Sequence, residues 1–102
     1  MLVVITTSPS IEEAESLAEK LVTEKLAACV QVLPQITSFY FWEGKIQRDA
    51  ECLLWIKTLP AKYDEVEAFI LANHSYSVPE IVALDAARIS ESYSDWMKNY
   101  LV

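Results

Sequence analysis

The 102-residue sequence is poor in the residues from which several common sites are built. It has one glycine, Gly44, so the glycine-rich loops that hold nucleotide phosphates are excluded. One histidine and two cysteines are too few for a zinc cage of cysteine and histidine ligands within one chain. Only 8 basic residues stand against 15 acidic ones, and the net charge of −7 disfavours nucleic-acid partners, whose phosphates carry the same sign.

Long hydrophobic runs are also missing, since no stretch approaches the roughly 20 apolar residues of a membrane-spanning helix. Residues Met1 to Ile5 are apolar but few, and without a preceding basic residue they favour a strand over a signal peptide. With 53% hydrophobic and 23% charged residues, the composition indicates one globular domain covering residues 1–102. We therefore expect a cytoplasmic protein with no membrane partner, in which Cys29 and Cys52 are free thiols.

The predicted elements follow the order β-α-β-β-α-β-α. Ser10, with Glu13 three residues further on, is typical of a capping box at the start of the first helix; Ser8, with Pro9 at the first helical position, is the alternative start. This helix should end near Leu26 or Ala27. The remaining predicted segments are strands at 2–7, 28–42, 45–58 and 78–86 and helices at 60–73 and 90–102. This order predicts an α+β, ferredoxin-like βαββαβ fold with an extra C-terminal helix.

The two central strands predict an unusually long hairpin around Glu43 and Gly44. Each arm has about 14 residues, whereas strands usually have about 5–6, and each would reach about 45 Å when extended. A domain of this length has a radius of gyration near 13 Å, so the tip must leave its own core or bend strongly. Its distal apolar side chains are Phe39, Tyr40, Phe41, Trp42 and Ile46. Such a ribbon needs a second surface, which predicts an oligomer; a shorter hairpin folded back onto a monomer is the alternative.

The pairing of the hairpin also decides the state of the cysteines. Counting pairs back from the turn places Cys52 opposite Gln35 and Cys29 opposite Thr58, too far apart for a disulfide. Pro34 has no amide hydrogen and should interrupt the pairing nearby. We interpret both cysteines as small buried apolar side chains.

Polar side chains cluster around the end of the second helix. His74 is either a copper or zinc ligand, in a site completed by other copies of the chain, or a loop residue bonded to the helix end. Lys57 either extends its charged end to solvent or pairs with Glu80, which would form a polar patch beside His74 and Tyr76. No nucleophile lies in a recognisable catalytic pattern, so we predict that the chain is not an enzyme.

Four collinear segments together resemble a known family. They read EKLAAC at 24–29, SFYFWEGKI at 38–46, KT at 57–58 and HSYSVPEI at 74–81. In combination these segments closely resemble the divalent-cation tolerance (CutA) family, and the resemblance runs from Val3 to Trp96. It implies a cytoplasmic homotrimer of ferredoxin-like subunits, tied together by long hairpins and assembled like the PII signalling proteins. It also implies a role in divalent-cation tolerance, no catalytic activity and no required cofactor.

The resemblance further implies a ligand cleft between subunits. The residues at positions that the family pattern favours are Tyr40, Trp42, Lys57, His74, Tyr76, Glu80 and Trp96. Aromatic walls with a few charged groups are typical of pockets for small ligands. We therefore expect this cleft to accept a small polar ligand or a metal complex.

Only part of the copper site proposed for some family members is present in this sequence. In some family members a first-strand cysteine and two adjacent histidines after the second helix are the proposed copper ligands. This chain has Thr6, Asn73 and His74 at those positions. Because the soft thiolate is absent, we expect only weak binding of copper or another divalent cation, through His74. The alternatives to a metal-tolerance role are a PII-like module that binds a small ligand, and a structural or adaptor trimer.

Overall fold

The computed structural model describes residues 1–102 as four strands and three α-helices. The elements are β1 (Leu2–Ser8), α1 (Ile11–Thr23), β2 (Cys29–Trp42), β3 (Lys45–Thr58), α2 (Tyr63–Asn73), β4 (Val82–Asp85) and α3 (Glu91–Leu101). A short 3-10 turn, Pro60–Lys62, leads into α2. The four strands form one sheet in the order β2-β3-β1-β4, and every neighbouring pair is antiparallel. The ferredoxin-like α+β prediction, with its long hairpin and extra C-terminal helix, is confirmed.

The first helix begins where the sequence predicts and ends earlier. The Ser10 side chain accepts a hydrogen bond from the Glu13 amide at 3.2 Å, which caps the helix. The helix ends at Thr23 rather than near Leu26, because Lys25 adopts a left-handed backbone conformation with φ 57°.

The last strand is shorter than predicted. Instead of residues 78–86, β4 contains only Val82–Asp85, which pair with the first half of β1. The segment before it contains Pro79, which cannot donate a backbone hydrogen bond to a sheet. This segment therefore lies outside the sheet.

The core lies between one face of the sheet and helices α1 and α2. Its fully buried side chains include Val4, Leu21, Leu54, Ile56 and Ile70. Burying each such side chain contributes roughly 1.5–3 kcal/mol. A second, smaller cluster forms around Met97 and Leu101 of α3.

The hairpin extends well beyond this core. The molecule measures 45 × 25 × 22 Å, and its radius of gyration is 14.2 Å. At the turn, Glu43 and Gly44 have φ angles of 52° and 79°, the two positive values that a tight hairpin turn matched to strand twist requires. Trp42 pairs with Lys45 beside this turn, as predicted.

A bulge at Pro34 and Gln35 divides the hairpin. Pairing shifts by one residue between Leu33 and Ile36, and Gln35 has φ 60°. The predicted interruption at Pro34 is confirmed, but the prediction that Cys29 faces Thr58 is wrong, because the extra residue brings Cys29 opposite Lys57.

Both cysteines are free, as predicted, but their burial differs. Cys52 is buried in the core, whereas Cys29 is only half-buried, so the prediction that both are buried holds for Cys52 alone. None of the three helices has the length and apolar character needed to span a bilayer.

Candidate functional site

A cavity of about 640 Å³ lies between the distal hairpin and the segment that follows α2. We call it the hairpin cleft. It is lined by Thr7, Ser38, Phe39, Tyr40, Trp42, Glu51, Ser75, Tyr76, Ser77, Val78 and Glu80. Its walls contain four aromatic residues and two carboxylates, and they contain no lysine, arginine or histidine.

Strand alternation explains how the hairpin contributes to the cleft. Tyr40 and Trp42 are two residues apart on β2 and therefore lie on the same face. On β3, Cys52 faces the core, so Glu51 points to the opposite side of the sheet. Asp49 pairs with Ser38, which lies two residues before Tyr40 on the same face of β2. From this diagonal position, the Asp49 carboxylate accepts a hydrogen bond from the Tyr40 hydroxyl. This bond raises the pKa of Tyr40.

Glu51 is the most buried charged group of the cleft, with 8% of its surface exposed. The Tyr76 hydroxyl donates a hydrogen bond of 2.8 Å to its Oε2 atom, while its Oε1 atom accepts no hydrogen bond from the chain. Burial, followed by this hydrogen bond to Glu51, raises the pKa of Tyr76 far above its ordinary value. A tyrosine with its ordinary pKa of 10.0 is already protonated at neutral pH, and the raised pKa keeps Tyr76 a hydrogen-bond donor into the alkaline range.

His74 lies beneath the cleft and fixes the course of the segment above it. Its side chain is fully buried, and its Nε2 atom donates to the backbone oxygen of Thr7 at 2.6 Å. Its Nδ1 atom accepts from the Tyr76 amide at 2.9 Å and lies 3.5 Å from Glu13 Oε2. Since Nδ1 accepts from an amide, the proton of a neutral ring must be on Nε2. Both ring nitrogens are thus engaged, and the ring packs at 4.8 Å against that of Tyr76.

Thr6 and Asn73 occupy two of the three positions at which the resemblance implied copper ligands. Thr6 is fully buried, and its hydroxyl oxygen has no hydrogen-bond partner. The Asn73 side-chain amide donates to the backbone oxygen of Phe69 at 2.9 Å. No group of three histidine, cysteine, aspartate or glutamate side chains is arranged to hold a metal ion.

Two residues predicted for the cleft between subunits, Lys57 and Trp96, lie outside the hairpin cleft of their own chain. Lys57 Nζ lies 3.4 Å from the Tyr93 hydroxyl and 5.4 Å from the centre of that ring, and Tyr93 stacks against Trp96 at 5.3 Å. The predicted alternative in which Lys57 pairs with Glu80 is wrong, because Lys57 contacts Tyr93 instead. Lys57 is six residues from Glu51 along β3, a separation of about 20 Å. The predicted set therefore divides between two places: Tyr40, Trp42, Tyr76 and Glu80 line the cleft, above His74.

Comparison with known proteins identifies the family of this chain. The model of the CutA1 divalent ion tolerance protein family matches residues 2–100. The chain belongs to the CutA1 family. It is 46% identical over 98 residues to the rice "Protein CutA 1, chloroplastic", covering 96% of this chain and 55% of the rice protein. It is 44% identical to the "Divalent-cation tolerance protein CutA" of Thermus thermophilus, covering 94% of this chain and 93% of that protein.

Solved CutA1 structures have the same fold. The "Periplasmic divalent cation tolerance protein CutA" of Archaeoglobus fulgidus superposes with a TM-score of 0.96 at 40% identity, with all of both chains covered. The chain spans about half the length of the plant CutA proteins that it matches.

Six polar residues at or near the cleft of this CutA1 chain were not predicted as site residues: Thr7, Ser38, Asp49, Glu51, Ser75 and Ser77. One signal for Glu51 was present. It is a carboxylate placed directly before the apolar run from Cys52 to Ile56, and burial of that run draws Glu51 out of solvent. The Tyr40–Asp49 contact also follows from the register that Gly44 predicts.

Proposed function

We propose that the chain acts as a homotrimer in the response to divalent metal ions, and that it binds rather than transforms its ligand. The main support for self-association is the hairpin tip, where Phe39, Phe41 and Ile46 are 66%, 68% and 70% exposed. Large apolar side chains on an extended ribbon favour coverage by another surface. Further copies of the same chain, with the same ribbons, supply that surface in our proposal.

The link to metal ions rests on family membership, since relatives are named for divalent-cation tolerance. We propose that direct copper binding is weak and involves His74. Both of its ring nitrogens are already engaged, so a metal ion must displace the contact of one nitrogen, to Thr7 or to Tyr76. A dissociation constant in the micromolar range or weaker, about −8 kcal/mol or less favourable, is expected.

Two experiments test this proposal. Light scattering should give three times the 11.6 kDa mass of the chain at micromolar concentration. Calorimetric titration with Cu(II) should show weak binding that His74→Ala removes, while circular dichroism verifies that the variant is folded. A well-folded monomer at that concentration would contradict the trimer, and nanomolar binding lost in His74→Ala would show a far stronger site than we propose.

A second candidate is a PII-like module that binds a small molecule in clefts completed by neighbouring subunits. The observation that favours it is the hairpin cleft, whose volume and aromatic walls suit a small organic ligand better than a bare ion. The two functions are separable with the unaltered chain, because a chelator that removes the metal ion leaves His74 and the cleft in place and should leave ligand binding intact.

We also propose a cytoplasmic location. The two free cysteines support a reducing compartment. Relatives differ in this respect, since the rice protein is named chloroplastic and the Archaeoglobus protein periplasmic. Cell fractionation with an antibody against the chain tests the proposal.

A further inference from the structure

The charge in the walls of the hairpin cleft has one sign. Glu51 and Glu80 line it, Asp49 lies at its rim through Tyr40, and no basic residue is among its lining residues. An arginine outside the lining set contacts one of its walls, since the guanidinium of Arg48 lies 5.7 Å from the centre of the Phe39 ring. The whole chain carries a net charge of −7, which adds to the same field. An anionic ligand is therefore disfavoured, and a cation is favoured.

Glu51 lacks a cationic partner within the chain. The residue is more than nine-tenths buried, and its Oε2 atom accepts a hydrogen bond from the neutral hydroxyl of Tyr76. Its Oε1 atom has no hydrogen-bond partner in the chain and is still reached by solvent. A buried carboxylate is stabilised when a positive charge lies close to it. Because Glu51 lines the cleft, a ligand in the cavity can supply that charge.

The walls distinguish an organic cation from a metal ion. A hard divalent ion requires about six oxygen ligands, and no cluster of even three suitable side chains is present. Four of the other nine lining residues are aromatic: Phe39, Tyr40, Trp42 and Tyr76. The faces of such rings attract ammonium groups that carry alkyl substituents.

We infer that the hairpin cleft binds a small organic ammonium ion, with Glu51 as the counter-ion and Tyr40, Trp42 and Tyr76 as the aromatic walls. Tyr76 fixes the carboxylate by donating to Oε2, which leaves Oε1 for the ligand. A cavity of about 640 Å³ accommodates a small metabolite. This inference rests on the proposed use of the cleft as a ligand site.

Choline and its neutral carbon isostere, 3,3-dimethylbutan-1-ol, form a matched pair of probes. Saturation-transfer NMR and calorimetry with the full chain should show binding of choline, and the neutral alcohol should bind at least about tenfold more weakly, because it lacks the charge. Equal binding of both, or binding of neither, overturns the inference.

Glu51→Gln preserves the volume and an acceptor for Tyr76 while removing the charge. We expect it to weaken choline binding by about tenfold or more, whereas Glu19→Gln, on the exposed side of α1, should change it by less than about twofold. Equal losses in the two variants would overturn the inference. Trp42→Leu, at a position half exposed in the chain, tests the aromatic wall independently and should also weaken choline binding.

Mass measurements on the same samples separate this inference from the proposed function. A trimer that binds neither probe refutes the ammonium site and leaves the trimeric metal-response proposal in place. A monomer that binds choline in a Glu51-dependent manner supports the ammonium site and refutes the trimer.

Discussion

The two halves of the hairpin share one backbone arrangement but have different surroundings. In the proximal half, β3 is flanked by β1 as well as β2, and Cys52, Leu54 and Ile56 pack beneath α1 and α2. In the distal half, beyond the bulge, the strands pair only with each other, and most side chains are exposed. The two strands hydrogen-bond to each other in both halves, but only the proximal half packs its side chains into the hydrophobic core of the chain.

The largest expected effect is in the proximal half. Leu54→Ala should lower the free energy of unfolding by about 2–5 kcal/mol, because Leu54 is fully buried and its truncation leaves a cavity in the core. Ile46→Ala, at the exposed tip, is the matched control and should change the subunit stability by no more than about 0.5 kcal/mol. Urea denaturation at several protein concentrations measures both, since assembly makes the midpoint depend on concentration. Similar losses of stability in the two variants would contradict the division of the hairpin into a buried proximal half and an exposed distal half.

The second effect concerns assembly rather than subunit stability. Phe41→Ser removes a large exposed apolar side chain from the tip, and each buried aromatic contributes roughly 1.5–3 kcal/mol when covered. We expect the concentration for half-dissociation to rise by about tenfold or more. Leu71→Ser, at a comparably exposed position on α2, should leave the dissociation unchanged. Light scattering across a dilution series measures the concentration for half-dissociation. Equal values for the two variants would argue against a hairpin tip that is covered in the assembly.

The turn offers a smaller perturbation of the same distal half. Gly44 has φ 79°, a conformation that a β-branched residue adopts only with strain, so Gly44→Val should cost about 1–3 kcal/mol. There is open space around its Cβ position, so the cost comes from the backbone and not from a clash. Glu43→Asn places a residue suited to positive φ at the first turn position and should stabilise the hairpin slightly. We expect Gly44→Val to loosen assembly more than it disrupts the core; an unchanged trimer with normal melting would contradict this.

The contrast between the halves also explains what could be predicted from the sequence. Gly44 predicts the turn and the register of the distal strands, because a tight turn fixes every pair counted from it. Beyond Pro34 the same count fails by one residue, since a proline signals an interruption but not the number of residues that it inserts. The position of Cys29 opposite Lys57 could not be obtained in this way.

The site was harder to predict than the fold because it depends on contacts between distant segments. The Tyr76–Glu51 hydrogen bond joins residues 25 positions apart, and it forms only because buried His74 ties the segment after α2 to the end of β1. The periodicity of hydrophobic residues predicts helices and strands, but it contains no information about the course of such a segment. Lys57 was grouped with the cleft by its predicted alternative pairing with Glu80 and by the resemblance, and Trp96 by the resemblance alone; both lie beside Tyr93 of α3, away from the hairpin cleft of the same chain.

The smallest expected effect links the cleft to pH. Because burial and Glu51 raise the pKa of Tyr76, folded Tyr76 keeps its proton at pH values at which an unfolded tyrosine, with its ordinary pKa of 10.0, loses it. The contribution of this raised pKa to the free energy of unfolding is fully present below pH 10. It is lost as the pH rises from 10 towards the pKa of folded Tyr76, so the stability of the fold should decrease over that interval. Tyr76→Phe removes this titration and one hydrogen bond, worth about 1 kcal/mol at neutral pH.

The measurement is the urea midpoint of the wild type and of Tyr76→Phe at pH 8 and at pH 11. The variant should be less stable at pH 8 and should lose less stability on going to pH 11. Tyr63→Phe is a useful control, because the pKa of Tyr63 is also raised, by its hydrogen bond to Glu67, and Tyr63 lies outside the hairpin cleft. Of the two tyrosines only Tyr76 lines the cleft, so choline binding should change in Tyr76→Phe and stay constant in Tyr63→Phe. An unchanged affinity in both variants would mean that Tyr76 stabilises the fold without shaping the ligand site.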